Sequence, residues 1–233
     1  MKVALVGYGK MGKAIEEILV ERGHEVVARI NHLPTKEDIN NAEIAIEFTQ
    51  PNAAVNNIKA LIELGLPTVS GTTGWSDSKN EIDSFVKEKN GALVTASNFS
   101  LGVNLFFELS KRFAELMRPY KNDYQIEIEE VHHTQKLDAP SGTAITLAEH
   151  LLAYSDYENW SMTEKSPTTI PVRALRVDEV PGTHSVTYTS AIDSLQLTHT
   201  AHSRKGFALG AVIAAEWLSG KKGVFGMKDV LGI

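Results

Sequence analysis

Val3-Ala4-Leu5-Val6-Gly7-Tyr8-Gly9-Lys10-Met11-Gly12 is the stretch whose reading decides the fold. Four apolar residues in a row predict a buried strand, and glycines at 7, 9 and 12 follow at once. After them Met11, Ala14, Ile15, Ile18 and Leu19 recur at the spacing of one helix face, and Gly23 ends the pattern. Glu25 to Ile30 predicts a second strand. Strand, glycine turn, helix and strand within about thirty residues make a site for a dinucleotide. Gly7 permits the tight turn, Gly9 lets the backbone approach a pyrophosphate, and Gly12 lets the helix pack close to the strand. The phosphates would sit on the helix N-terminus, where unpaired amides and the helix dipole favour anions. The acid that usually accepts the ribose hydroxyls is absent: the second strand ends Arg29-Ile30-Asn31-His32. Asn31 can hydrogen-bond a ribose without repelling a 2′-phosphate, so NADH and NADPH both stay open as cofactor.

The alternation continues outward from this unit. Glu43 to Phe48 predicts a strand, Asn52 to Leu64 a helix, and Leu66 to Ser70 a strand. Ser76 then caps a helix through Lys89, and Ala92 to Ala96 forms a fifth strand. Alternating strands and helices imply a parallel, doubly wound sheet of Rossmann type, with ligands beyond the carboxyl ends of its strands. Three loops meet there: Gly7 to Gly12, Gly71 to Trp75 and Ala96 to Ser100. The hydroxyls and amides of the last two suit a nicotinamide ribose and carboxamide, and Phe99 is expected against the ring. Residues 1–100 are therefore expected to form a dinucleotide-binding domain.

The rhythm changes after a predicted helix from Leu101 to Met117. Tyr124, Ile126 and Ile128 alternate with Gln125, Glu127 and Glu129, the pattern of a half-buried strand. Further strand-like runs cover Pro171 to Val180, His184 to Ala191 and Leu195 to Ser203, separated by turns at Pro181-Gly182-Thr183 and Asp193-Ser194. Tyr154 to Thr169 is polar and predicts a surface loop. Residues 101–204 thus predict an α+β domain with an open, mostly antiparallel sheet. The tail, 205–233, with a helix from Phe207 to Leu218 stopped by Gly220, is expected to return to the nucleotide domain.

Composition narrows the function classes. With 233 residues, 42% of them hydrophobic, the chain can bury a substantial core. A formal net charge of -6 gives no general attraction to nucleic acid or anionic lipid, so an anionic substrate must be drawn by local positive charge. There is no cysteine, which removes disulfides, thiolate metal sites and cysteine nucleophiles. The N-terminus lacks a signal-peptide layout and no apolar run is long enough to span a bilayer, so a soluble cytoplasmic protein is expected.

Chemistry concentrates in Glu129-Glu130-Val131-His132-His133-Thr134-Gln135-Lys136-Leu137-Asp138-Ala139-Pro140-Ser141-Gly142-Thr143-Ala144. Glu130 and His132 share the parity of Ile126 and Ile128, while His133 points to the other face. Adjacent histidines on a strand cannot both ligate one metal without a bend, and no carboxylate cluster completes a site, so no metal is expected. A histidine moves protons near neutrality, and Lys136 can donate a proton or hold a carboxylate. Pro140 to Thr143 opens a helix through Leu152, whose first amides and Thr143 hydroxyl offer an anion cradle. An amino-acid or sugar dehydrogenase accounts for this architecture but not for the histidine-lysine run. A non-catalytic, redox-sensing dinucleotide module would lack proton donors at the crevice, and here they are abundant.

The same stretch, from Glu130 to Ala144, resembles the signature of the 4-hydroxy-tetrahydrodipicolinate reductase family, formerly dihydrodipicolinate reductase, of the diaminopimelate route to lysine. The resemblance extends through Gly7 to Gly12, Gly71-Thr72-Thr73-Gly74, Asn98-Phe99-Ser100, Gly102-Val103-Asn104, Thr198-His199, Ser203-Arg204 and the Trp217 to Gly220 and Asp229 to Leu231 endings. It implies that His132 is the proton donor and acceptor, that Lys136 is the proton donor, and that His133, Gly142 and Thr143 bind the substrate's carboxylates. The cofactor would contact Gly7, Tyr8, Gly9, Lys10, Met11, Gly12, Gly71, Thr72, Thr73, Ala96, Ser97, Asn98 and Phe99, with Asn31 at the ribose. A homotetramer built through the antiparallel sheets is also implied; and because cofactor and acid would reside in different domains, a hinge closure that expels water before hydride transfer is expected. The chain departs from the family at Asn31, commonly acidic, and at Arg176-Val177-Asp178-Glu179, which replaces an Arg-Gly-Gly-type turn.

Overall fold

A computed structural model describes residues 1–164, 166–203 and 205–233. The chain divides into two compact units, Met1–Leu101 with Lys205–Ile233, and Gly102–Arg204. Arg204, the last residue of one resemblance segment, lies outside the described residues.

The first unit begins β1 (Lys2–Val6), α1 (Lys10–Glu21), β2 (Glu25–Ile30), β3 (Ile44–Glu47), α2 (Pro51–Glu63), β4 (Thr68–Ser70), α3 (Lys79–Glu88) and β5 (Ala92–Thr95). α4 (Leu101–Met117) leads out of it, and α6 (Lys205–Leu218), β11 (Gly223–Phe225) and α7 (Met227–Leu231) return to it. Its sheet runs β11-β5-β4-β3-β1-β2 with every pairing parallel. Continuous apolar runs such as Val3 to Val6 are buried because helices cover both faces. Arg22 and His24 hold Glu216 of α6 at 2.7 and 2.8 Å, fastening the returning helix to the end of α1. The short strand β11 adds to the edge beside β5, an element the sequence pattern did not reveal. The predicted helix start at Ser76 is a single 3-10 turn, Ser76–Ser78, and α3 begins at Lys79. The Trp75 indole donates to the Thr72 carbonyl and the Ser78 amide to the Trp75 carbonyl, which tightens the chain there before the helix opens.

The second unit holds β6 (Gln125–His132), α5 (Gly142–Ala153), β7 (Asn159–Ser161), β8 (Thr169–Arg176), β9 (Gly182–Thr189) and β10 (Ser194–Ala201). Its sheet order is β10-β9-β6-β8-β7. The pairings β10–β9 and β9–β6 are antiparallel, whereas β6–β8 and β8–β7 are parallel, so the sheet is mixed. The parallel half follows from α5, which crosses over between β6 and β8. Asn159–Ser161, inside the segment expected to be a polar loop, pairs along β8 as its outer neighbour. β6 is central and alternates strictly, burying Ile126, Ile128, Glu130 and His132. α4 and α5 close that face with Phe106, Phe107, Leu147 and Leu151.

Candidate functional site

The carboxyl ends of the parallel strands lie along one edge of the first sheet. The chain crosses from one side of β1 to the other between β2 and β3, making the topological switch point at which such sheets bind ligands. A cavity of about 600 Å³ opens there, lined by Gly7, Gly9, Asn31, Phe48, Thr49 and Asn57 among others. Gly7 has φ +92°, and a Cβ on it would fall 1.9 Å from the Phe48 carbonyl oxygen; only glycine fits. A Cβ on Gly12 would fall 2.4 Å from the Gly7 oxygen, which is the close helix-strand packing expected of the third glycine. The α1 N-cap is Gly9 and no side chain caps the helix, so its first amides stay available to a phosphate. Cavity, bare helix start and glycine packing together fit a dinucleotide.

The polar groups around this cavity are arranged in a way the sequence did not foretell. The Asn31 Oδ1 accepts the Tyr8 amide at 2.7 Å, so its oxygen fixes the glycine turn and its amide nitrogen is the group left for a ribose. Arg29 pairs with Glu16 and lies over the Tyr8 ring at 5.6 Å. That carboxylate, more than the neighbouring Tyr8, pushes the Arg29 guanidinium up and keeps it charged, but committed. Lys10 is exposed and Met11 half-buried at the start of α1.

Glu47, fully buried at the end of β3, was missed by sequence reading. It accepts from the Ser70 hydroxyl at 2.5 Å, the Thr72 hydroxyl at 2.8 Å and the Thr49 amide at 3.1 Å, and also from the Thr49 hydroxyl. Thr72 is thereby turned inward, leaving Thr73 as the exposed hydroxyl of the Gly71–Thr73 loop. Phe99 is 2% exposed and packs on Phe48 at 5.8 Å between ring centres, so its ring belongs to the core rather than to an open stacking surface. Ala96, Ser97 and Asn98 follow β5 at the same sheet edge, with Ser97 exposed and the Asn98 Oδ1 accepting the Ser100 amide.

In the second unit, His132 ends β6 at 8% exposure while His133 leaves the strand half-buried. Register brings in two partners. Glu130 lies opposite His184 on β9, and His132 lies opposite Arg176 on β8. The Glu130 Oε2 is 3.2 Å from His132 Nδ1 and 3.7 Å from His184 Nε2. Its Oε1 accepts from the Ser141 amide at 3.0 Å and from Arg176 Nη2 at 3.2 Å. Burial opposes charge on Glu130, but bonds from His132, His184 and Ser141 outweigh it and hold the carboxyl well below the usual range. Burial pushes His184 below the ordinary imidazole value, against the pull of Glu130. Glu130, His132 and His184 form the cluster of possible metal-ligand atoms among the described residues, within 4.8 Å of one another. Sequence reading missed it because His184 arrives from a strand more than fifty residues on.

Lys136 bonds both oxygens of Asp138, at 2.8 and 2.7 Å. Arg176 donates to the Asp138 carbonyl at 2.6 Å and to the Lys136 carbonyl at 3.4 Å, holding the loop that carries Lys136. In the departing turn, Glu179 takes φ +62°, the left-handed conformation that favours glycine, and Asp178 accepts from the Thr134 hydroxyl at 2.7 Å. Ser141 caps α5 by accepting the Ala144 amide at 3.2 Å. The Gly142 and Thr143 amides precede that bond in the first turn, on an exposed and a half-buried residue, where an anion can reach them.

Comparison with known proteins shows the family. The family models for the N-terminus and C-terminus of dihydrodipicolinate reductase match residues 1–99 and 102–231. The chain is 50% identical, over 99% of its length and 98% of the relative's, to a 4-hydroxy-tetrahydrodipicolinate reductase from Christiangramia forsetii. It is 38% identical, over 82% of its length and 72% of the relative's, to one from Methanocaldococcus jannaschii. A dipicolinate-bound dihydrodipicolinate reductase from a Paenisporosarcina species shares the fold with a TM-score of 0.77, at 21% identity over 97% of each chain. With a dinucleotide fold in its first unit, a histidine-lysine strand end in its second and both family halves matched, the chain belongs to the 4-hydroxy-tetrahydrodipicolinate reductase family of NAD(P)H-dependent oxidoreductases.

Proposed function

We propose that the protein is a cytoplasmic enzyme that reduces 4-hydroxy-tetrahydrodipicolinate to tetrahydrodipicolinate in lysine and diaminopimelate biosynthesis. The observation that carries this reading is the joint presence of His132, Lys136 and the open α5 start in one continuous stretch. When bound, the nicotinamide supplies the hydride. Lys136 and the Gly142 and Thr143 amides grip the carboxylates, helped by His133, in a protein whose net charge is otherwise -6. The substrate's 4-hydroxyl leaves as water to give a ring carbon conjugated to the imine, charge builds on the ring as that carbon takes the hydride, and His132 with Lys136 delivers the proton that quenches it. The test follows NADH and NADPH absorbance with substrate made fresh by the preceding synthase. Oxidation of neither cofactor would reject the function.

Cofactor choice turns on Asn31. Its nitrogen is a donor, and a 2′-phosphate meets no carboxylate from that side chain. Asn31→Asp is therefore expected to shift the NADH to NADPH ratio of kcat/KM about tenfold or more toward NADH, by like-charge repulsion. An unchanged ratio would remove Asn31 from cofactor selection.

The second unit is also proposed as the substrate and tetramerisation domain. β10 is an edge strand that is exposed or half-exposed along its whole length, next to a turn tip where Ile192 is 94% exposed. A sheet edge so uncovered is usually paired or covered in the working assembly. Light scattering should return four times the 25.5 kDa chain mass; a monomer at working concentration would count against it.

A further inference from the structure

We propose that Glu130 is a positioning residue for His132, fixing the imidazole by its Nδ1 end so that the Nε2 end exchanges the proton, with Arg176, Ser141 and His184 holding Glu130 in place. This rests on the proton-transfer role given to His132 above.

The geometry separates the two oxygens of the carboxylate. Oε1 is taken by the Ser141 amide and Arg176, while Oε2 is aimed at the His132 Nδ1 at 3.2 Å. The two atoms face each other as an ion-pair contact without a completed hydrogen bond, neither has a hydrogen-bond partner elsewhere among the described residues, and Glu130 is fully buried. A buried carboxylate beside an imidazole nitrogen requires the N–H to be on that nitrogen, because two facing lone pairs would be repulsive. The neutral ring is then the Nδ1–H tautomer, and Nε2 carries the mobile proton. A Cβ on Gly182 would stand 3.1 Å from Nε2 and 3.3 Å from Cδ2, so glycine at this position spares the Nε2 end of the ring further crowding.

Charge is arranged to suit one added proton. The groups around Glu130 are Arg176, His132, His184 and the Ser141 amide, with Lys136 and Asp138 paired nearby. Glu130 and Arg176 cancel, and so do Lys136 and Asp138. His184 stands edge-on to His132 at 5.0 Å between ring centres and its Nε2 already meets the Ser141 hydroxyl at 3.1 Å. Burial disfavours charge on His184, so its part is to hold Glu130 from the far side of the carboxylate. In the transfer itself the imidazolium Nε2–H bond breaks and a C–H bond forms on the reduced ring. The electron pair of the broken bond stays on Nε2, and Nδ1 keeps its proton against Glu130.

Two measurements on the full chain test this. Nitrogen-15 NMR of the histidine rings should find neutral His132 as the Nδ1–H tautomer, a readout that needs no turnover. Glu130→Gln, which keeps the shape but removes the charge, is expected to lower kcat about 10- to 100-fold with KM changed less than threefold. It should also move the proton-donor limb of the pH profile down by about one unit or more. If that variant lost its cooperative melt, His184→Asn would replace it, with a several-fold drop in kcat expected. No turnover by the parent protein with the Nδ1–H tautomer present would count against the reaction and leave the positioning intact. An Nε2–H tautomer, or Glu130→Gln with parental kcat and pH profile, would overturn the proposal. So would stoichiometric Zn²⁺ uptake abolished by Glu130→Gln, since the cluster would then be a cation site.

Discussion

Lys136→Ala is expected to lower kcat by about 100- to 1000-fold, the range lost when a positioned general acid is removed. Dinucleotide affinity is expected to stay unchanged, because the cavity fitted to the dinucleotide is lined by residues of the first unit and Lys136 belongs to the second. The resting structure explains why the loss should fall on kcat as well as KM. Lys136 is bound to both oxygens of Asp138, and the bond from Lys136, against the opposing effect of burial, holds that carboxyl below its ordinary value. On the acid side the pair therefore persists until pH falls through the lowered Asp138 value. Asp138 is 60% exposed, so such a pair is worth about 0–1 kcal/mol, and a dicarboxylate can draw the ammonium away at little cost. His132→Gln should give a loss of similar size, and the double variant less than the product of the two, since both act on one proton transfer. A kcat within threefold of the parent for Lys136→Ala, by cofactor absorbance, would remove it as proton donor.

Glu47→Ala carries the largest expected effect on stability. The carboxylate is the common acceptor for Ser70, Thr49 and Thr72; truncation leaves the buried Ser70 and Thr72 hydroxyls without it, while the half-buried Thr49 amide keeps the Thr72 hydroxyl oxygen as acceptor. At about 1–3 kcal/mol for each unmatched buried donor, with partial relaxation, a loss of about 3 kcal/mol follows. For a chain of this size that corresponds to roughly 6–12 °C in Tm. Because the same oxygens anchor the loops after β3 and β4, dinucleotide affinity should fall with it. Glu47→Gln keeps acceptance at one oxygen and should cost less than half as much. Calorimetric melts of both variants check this, and equal Tm values for Glu47→Ala and the parent would refute it.

What the sequence disclosed follows a physical divide. Periodicity is local, so Val3 to Gly12 announced strand, turn and helix, and the alternation from Tyr124 placed Glu130 and His132 on one face. Partners brought by strand register are not local. His184 and Arg176 reach Glu130 from β9 and β8, about fifty residues downstream, and nothing in their own neighbourhoods signals it. Glu47 was hidden for another reason: at the end of a short strand it looks like an ordinary surface charge, and only the hydroxyls of Ser70, Thr49 and Thr72 make burial tolerable. β7 and β11, at three residues each, are too short to show alternation. The direction of the β6–β8 pairing depends on α5 being a crossover, which no pattern within either strand records.

The doubled letters of Glu129-Glu130-Val131-His132-His133 look like insurance, as though a spare histidine and a spare glutamate stood ready. The central place of β6, locked in register by β8 and β9, says otherwise. Side chains change face at every residue, so a slip of one would bring the odd positions inward. The inner row would then read Glu129, Val131, His133, with the acid and the imidazole four residues apart instead of two. Val131 removes the redundancy. A one-residue insertion or deletion within β6 preserves both pairs of letters yet cannot rebuild the contact between Glu130 and His132. In this strand the message lies in the phase, and the duplicate residues are not copies of one another.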